Sequence, residues 1–433
     1  MGEIKMLDIL LVNPGDISPY PAMGLAELAA FVRKYGYSVK ILDFSVPNVS
    51  KTDVLKIGAK IVGISVPCGL IRRAFELAEY VKEKTGAIVV FGGYYPTFCY
   101  NKCLENKNVD FVVIGEGEIP LLRLLDYLIK GKGSLSQIPG IACRGQIKPN
   151  PRTYCPNLDS LPIPAFDLLP LSDYPRKVEN RFVATLSTGR GCPFRCKFCS
   201  QSAFWEQKVR FRSPKKVLQI VDELKKIYPI NYIRILDDIF PLRPQKALEI
   251  AQGLKERDLA WECQARIDIL SEDLLRKFSK VGLDRIFFGI ESGSPKIQEF
   301  IGKKFDPSMI KRKIAVARQE GIKVKVSFQI GTPGETSKDV DMSIDLANTL
   351  DVDEIALFIS TPFPGTPLHK IAIERKLIRS LHPDDYDPSI ASMGTGYLSV
   401  NEVEEEAKRF LETVKSANWG HHSEKGRKLR KLY

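Results

Sequence analysis

Three cysteines fall within eight residues of this chain: Cys192, Cys196 and Cys199, in the run Thr188-Gly189-Arg190-Gly191-Cys192-Pro193-Phe194-Arg195-Cys196-Lys197-Phe198-Cys199. Two glycines and a proline open the run, and a loop with the spacing Cys-x3-Cys-x2-Cys has to fold back to point all three sulfurs inward. That geometry suits one face of an iron-sulfur cube. Three thiolates on a four-iron cube leave one iron without a protein ligand and open to a small molecule. A zinc knuckle is the other reading of clustered thiols, but it needs a fourth ligand, and no nearby His or Cys offers one.

The remaining cysteines are scattered, and a reducing compartment keeps thiolates available to iron, so disulfides are not expected. No apolar run reaches membrane-spanning length and the start, Met1-Gly2-Glu3-Ile4-Lys5, lacks a signal-peptide pattern, so the expected location is the cytoplasm. A net charge of +12 is compatible with an anionic substrate, an acidic partner or a membrane surface. Lys and Glu are both abundant, which favours an ordinary solvated surface, and no nucleic acid is expected. Only the tail Lys425-Gly426-Arg427-Lys428-Leu429-Arg430-Lys431 is locally basic.

At 433 residues two or three domains are expected. In the first, at 1–145, the apolar run Leu7–Val12 ends in Asn13-Pro14-Gly15 and reads as a buried parallel strand. Further strands are predicted at Ser38–Asp43, Ile61–Ser65, Ile88–Phe91 and Phe111–Ile114, with helices over Gly24–Tyr35 and Ala74–Thr85. Alternation at this spacing predicts an α/β domain with a doubly wound parallel sheet. Its ligand belongs beyond the carboxyl ends of the strands, at Asn13, Ser65, Gly92, Gly93, Tyr94, Glu116 and Gly117. Glycine pairs there permit close backbone approach to a large ligand. Tyr94 and Tyr95 suit either a ligand face or an interface, whereas Cys68, Cys99 and Cys103 read as buried small hydrophobes.

Residues 146–181, rich in proline, read as a linker. Over 182–375, strands are predicted at Phe182–Ser187, Tyr232–Leu236, Trp261–Arg266, Ile286–Ile290, Val324–Ile330 and Glu354–Ser360, each separated by a helical stretch. Six such units describe a partial (β/α)6 barrel of the TIM type, with its chemistry at the carboxyl ends of the strands. Asp237, Asp238, Arg266, Glu291, Ser292, Ile330 and Pro333 lie there. Residues 376–433 form a small helical C-terminal segment, opened by the capping box Ser399-Val400-Asn401-Glu402. Its helix is expected to pack beside the open barrel and help close the substrate cavity.

The cysteine spacing, with an aromatic Phe198 before the last cysteine, resembles the signature of the radical S-adenosylmethionine (SAM) superfamily. Glu291-Ser292-Gly293, Gly331-Thr332-Pro333-Gly334-Glu335-Thr336 and Thr361-Pro362-Phe363-Pro364-Gly365-Thr366 resemble later segments of that family. The resemblance implies a 4Fe-4S cluster on Cys192, Cys196 and Cys199, with its open iron chelated by SAM. It also implies that SAM is cleaved to a 5′-deoxyadenosyl radical. Glu291 and Ser292 would hold the ribose and methionine ends, and the segment at Ile330 and Pro333 would lie under adenine. Phe198 would offer backbone and ring surface to adenine. Arg266 reads either as a fork for the methionine carboxylate or as a strand-end partner of Asp268. Asp237 and Asp238 read as contacts for the methionine amino group or the substrate, or as turn carboxylates.

The Gly-Gly turn and the Gly115-Glu116-Gly117-Glu118 strand end resemble the cobalamin-binding domain that precedes many radical SAM enzymes. The usual motif Asp-x-His-x-x-Gly is missing, and no histidine occurs before His369. Some members of the class lack that histidine, so cobalamin is expected without a histidine lower ligand from this domain.

The resemblance implies a cobalamin-dependent enzyme that methylates an unactivated carbon of a small-molecule or lipid substrate, fed by an electron donor such as flavodoxin or ferredoxin. The alternatives are radical ring closure or carbon-carbon bond formation on a lipid or tetrapyrrole, with or without cobalamin, and a zinc-stabilised adaptor without catalysis.

Overall fold

The computed structural model describes residues 6–15, 20–145, 148–174, 177–178, 181–380 and 386–419. The basic tail lies outside the described residues. The chain divides into two compact units, Met1–Lys177 with Gln219–Pro229 and Val178–Leu218 with Ile230–Tyr433. No helix among the described residues is long and apolar enough to cross a membrane.

The first unit runs β1 (Leu7–Asn13), α1 (Met23–Lys34), β2 (Val39–Asp43), α2 (Thr52–Ile57), β3 (Ala59–Ser65), α3 (Ile71–Thr85), β4 (Ile88–Gly92), α4 (Tyr94–Glu105), β5 (Phe111–Val113), α5 (Glu118–Lys130) and β6 (Ile141–Cys143). Its sheet has the order β2-β1-β3-β4-β5-β6. Every pairing is parallel except the last, where β6 runs antiparallel to β5. Right-handed crossovers carry the chain from β1 outward to β2 and from β3 the other way to β4. The adjacent strands β1 and β3 therefore flank the point where the winding reverses, the place where such sheets accept ligands.

The proline-rich stretch does not behave as a linker. Leu158, Leu161 and Ala165 are at most 3% exposed and belong to the core that β1, α1 and α5 build. Pro151 and Asn150 hydrogen-bond along β6, the Ala165 N–H donates to the Ala26 carbonyl at 3.0 Å, and Arg33 pairs with Asp167 at 2.7 Å. Prolines here hold an extended path that needs few backbone donors, and the apolar residues between them cover one face of the helix layer.

The second unit, with Lys177 and the α7 residues from Gln219 on grouping with the first, begins with β7 (Lys177–Val178), β8 (Arg181–Leu186), β9 (Gly189–Arg190), α6 (Ser200–Trp205), β10 (Arg210–Phe211), α7 (Pro214–Ile227), β11 (Tyr232–Ile235), α8 (Pro244–Lys255), β12 (Ala260–Ala265) and α9 (Glu272–Lys280). It continues with β13 (Leu283–Glu291), α10 (Pro295–Ile301), α11 (Pro307–Gln319), β14 (Lys323–Ile330), α12 (Ser337–Asn348), β15 (Glu354–Ile359), α13 (Pro367–Glu374), α14 (Val400–Thr413) and β16 (Ala417–Trp419). The sheet order β16-β15-β14-β13-β12-β11-β8-β7 is that of an open barrel wall. Along β12 to β14 the residues facing the helices, such as Trp261, Phe288 and Phe328, are fully buried. The alternate residues are polar at the amino end of the wall, where Arg234 pairs with Glu262 at 3.2 Å and Lys325 with Glu354 at 2.6 Å.

The capping box at Ser399 and Glu402 forms. Its helix packs beside the barrel, as expected, and forms part of the wall. α14 packs on β14, β15 and α12, the Phe410 ring lies 5.5 Å from that of Phe328, and β16 adds a further parallel strand beside β15.

Candidate active site

The cysteine loop leaves β8, makes the two-residue ladder of β9 with β10, and ends where Cys199 precedes α6. Gly191 has φ +93°, and a Cβ there would lie 2.1 Å from the Lys208 carbonyl oxygen, so only glycine allows the chain to turn into the loop. Backbone bonds clamp the loop on both sides: Lys197 N–H donates to the Ile301 carbonyl at the end of α10, and Leu368 N–H of α13 donates to the Lys197 carbonyl. Phe198 packs against Leu368, Ala372 and Met393, so part of its ring anchors the loop.

None of the nine cysteines forms a disulfide. Burial pushes the Cys192 thiol up to about 12 and the Cys199 thiol up to about 11. Each sulfur nonetheless meets an N–H: Cys192 that of Phe194, Cys199 those of Ser202 and Gln201, and Cys196 the Arg266 Nη1 at 3.3 Å. Among the described residues, no three His, Cys, Asp or Glu side chains converge closely enough to hold a single metal ion. A cube of iron and sulfide spreads its metal corners, so its ligands need not meet at one point. A donor set of three cysteines, two buried and Cys199 partly so, with N–H groups aimed at their sulfurs fits such a cube.

The two aspartates after β11 have different surroundings. Asp237 accepts the N–H and hydroxyl of Thr188, is buried, and is pushed up to about 6 by that burial. It fixes the entrance of the cysteine loop. Asp238, raised to about 7 by burial and by Asp237, has no hydrogen-bond partner among the described residues and is near enough to Cys192 and Cys199 to raise both.

Arg266 forms the ion pair with Asp268. Its Nε and Nη2 fork onto Asp268 at 3.1 and 2.8 Å, and the guanidinium lies 3.8 Å from the Phe194 ring centre. Glu291 ends β13 at a register shift, with φ +71°. Its carboxylate takes Lys303 Nζ at 2.7 Å and the Ser327 hydroxyl at 3.0 Å. A Cβ on Gly289 would lie 2.3 Å from Glu291 Oε1, which accounts for the glycine two residues earlier. Sequence reasoning missed Lys303, which is only 6% exposed. A lysine in a loop after Gly302 carries no local signal of burial.

Ser292 is fully buried and committed to the loop, 3.2 Å from the Ser343 hydroxyl. The Ile330 side chain is also fully buried, and its carbonyl accepts the Ser360 N–H at 2.7 Å. Pro333 sits in a turn closed by Glu335, whose Oε2 accepts the N–H of Gly331 at 2.6 Å and of Thr332 at 3.1 Å. Lys303 ties these elements together, with Nζ 5.7 Å from the Phe198 ring centre and 5.6 Å from that of Phe305, on which Arg266 also lies.

In the first unit Val12 pairs with Ile64, so Asn13 and Ser65 come next along the two strands at the winding reversal. Asn13 Nδ2 donates to Asp43 Oδ1 at 2.8 Å. Gly93, at φ +100°, brings its backbone against β3, where a Cβ would lie 3.3 Å from Val66 N. Tyr94 starts α4, and its ring lies tilted against that of Phe98 at 5.0 Å. Gly117 precedes α5 and leaves room for Leu28, which a Cβ would meet at 2.9 Å. Glu116 is buried and its Oε2 accepts the Cys155 N–H at 2.6 Å, while Arg152 crosses Gly115 and the Phe98 ring. The sequence reading did not place 152–155 at this strand edge.

Residues 186–347 match the radical SAM superfamily and residues 17–125 match the B12 binding domain. An uncharacterized methyltransferase of Pyrococcus horikoshii is 34% identical, over 88% of this chain and 86% of its own. The cytidylyl-2-hydroxyethylphosphonate methyltransferase of Streptomyces wedmorensis is 29% identical, over 93% and 89%. The solved structure of the radical SAM methyltransferase TsrM from Kitasatospora setae, with cobalamin and a [4Fe-4S] cluster bound, shares the fold at a TM-score of 0.75 and 18% identity, covering 94% of this chain and 88% of that one. The chain is therefore an enzyme of the radical SAM superfamily, in the branch that joins a B12-binding domain to the radical domain.

Proposed function

We propose that this enzyme is a cobalamin-dependent methyltransferase acting on an unactivated carbon of a small molecule. The observation that carries the reading is the trio Cys192, Cys196 and Cys199, each sulfur facing an N–H donor, with the carboxyl of Asp238, unpartnered among the described residues, beside them. The methyltransferase relatives from Pyrococcus and Streptomyces support the choice of methyl transfer over ring closure.

In this reading the three cysteines hold a 4Fe-4S cluster. Asp238 accepts the ammonium of the methionine moiety, and Asp237 keeps the loop entrance in place. Glu291, held still by Lys303 and Ser327, keeps lone pairs for the ribose hydroxyls. Ser292 secures the loop that carries Glu291, and Phe198, Ile330 and Pro333 flank adenine. Asn13, Ser65, Gly92, Gly93, Tyr94, Glu116 and Gly117 line the strand edge that receives cobalamin, the two glycines by backbone approach and Glu116 by fixing the 152–155 segment. When bound, the cluster with SAM supplies a radical able to activate carbon, and cobalamin supplies the methyl group.

The test is anaerobic purification followed by metal, corrinoid and turnover analysis. Four irons per chain, a corrinoid absorbance after cobalamin addition, and 5′-deoxyadenosine formed from SAM with dithionite are expected. A protein that takes up the cluster but no corrinoid overturns the methyltransferase reading. A colourless protein holding one zinc overturns the radical reading.

A further inference from the structure

Cys196 differs from its two companions in what faces its sulfur. Cys192 and Cys199 meet backbone N–H groups, which are neutral, whereas Cys196 meets a guanidinium. Arg266 is only 7% exposed. Two of its nitrogens are spent on Asp268 and its face lies on Phe194 at 3.8 Å, so Nη1 is left to donate to Cys196 Sγ at 3.3 Å and cannot turn to water. Asp268 is more exposed than Arg266, with side chains 30% and 9% exposed. Solvent therefore screens the carboxylate more than the cation.

We propose that Arg266 is a tuning residue that raises the reduction potential of the cluster through its charge and its hydrogen bond to the Cys196 sulfur. The proposal rests on the cluster reading above. Reduction adds one electron, drawn from an external reductant, and so one negative charge to the cluster. A hydrogen bond and a positive charge at a ligand sulfur stabilise the reduced form more than the oxidised one. The stack on Phe194 and the fork onto Asp268 hold the guanidinium before any cluster is present, so its alignment costs little on reduction.

The experiment compares wild type, Arg266→Lys and Arg266→Gln, each reconstituted anaerobically with iron and sulfide. Iron per chain is counted, and the midpoint potential is followed by electron paramagnetic resonance during dithionite titration. Arg266→Gln should lower the midpoint by about a tenfold change in the reduced-to-oxidised ratio, 59 mV for a one-electron couple. Arg266→Lys, keeping charge but losing the fork, should fall between. Four irons retained with an unmoved midpoint overturns the proposal and leaves the cluster reading intact. A second readout needs no variant to load iron. Wild-type protein grown with 15N-labelled arginine should show a nitrogen coupling to the reduced cluster, and its absence overturns the proposal. A wild type that takes up no cluster overturns the cluster reading as well.

Discussion

Glu335 is a buried carboxyl with no cation against it. One oxygen closes the turn after β14 by accepting two N–H groups, and the other is buried without a partner. Burial, with Asp339 and Glu406 nearby, pushes it from 4.5 up to about 8. Between those values the folded chain keeps the proton while the unfolded chain has lost it. The contribution is therefore full below about pH 4.5 and is lost as pH rises towards about 8. Glu335→Gln keeps an acceptor for both N–H groups and removes the titration. The unfolding free energy from urea titration should fall less between pH 5 and pH 8 in the variant, by an amount on the order of a few kcal/mol; equal falls would refute the assignment. A neighbouring test is Gly289→Ala, whose Cβ would press on Glu291 Oε1 at 2.3 Å and Lys303 Nζ at 2.8 Å. Overpacking of this kind costs about 1–3 kcal/mol. SAM affinity should drop at least about tenfold, as equilibrium dialysis would show, with the circular dichroism spectrum unchanged.

Elements whose signals are local were legible in the sequence. The strand β14, a run of alternate apolar residues, and the capping box of α14 depend on residues within a turn of one another. What was not legible depends on distant partners. Arg266 is 70 residues from Cys196, and Glu116 is 39 from Cys155. The sequence marked both positions as site candidates, but no local signal names the distant partner that each one meets in the fold. The particular partners of α14 were not legible for the same reason, since an apolar face does not say what it meets. Because Phe410 packs on Phe328 within the wall, Phe410→Ala should cost about 3–5 kcal/mol. At a temperature where the variant stays folded, its KM for SAM should match wild type. A helix serving as a cover over the cavity would instead raise KM with little loss of thermal stability.

At the scale of the whole chain, the question is where the first unit ends. Composition places a boundary near residue 146, because proline-rich stretches usually connect domains. Packing extends the unit through the 148–174 stretch, which runs from β6 past Glu116 and over α1, and Tyr174 reaches the Asp43 carboxylate at 2.7 Å. The two views give opposite expectations for Leu158. In a linker its truncation would sit within the roughly 0.5 kcal/mol scatter of surface substitutions. Leu158 is 1% exposed and shares a core with Leu25, Ala29 and Leu125, so Leu158→Ala should cost about 2–5 kcal/mol. The loss should be local in origin, with amide hydrogen exchange speeding first in α1 and α5, the helices that the stretch covers. Unchanged exchange in those two helices would return the stretch to the role of a connector.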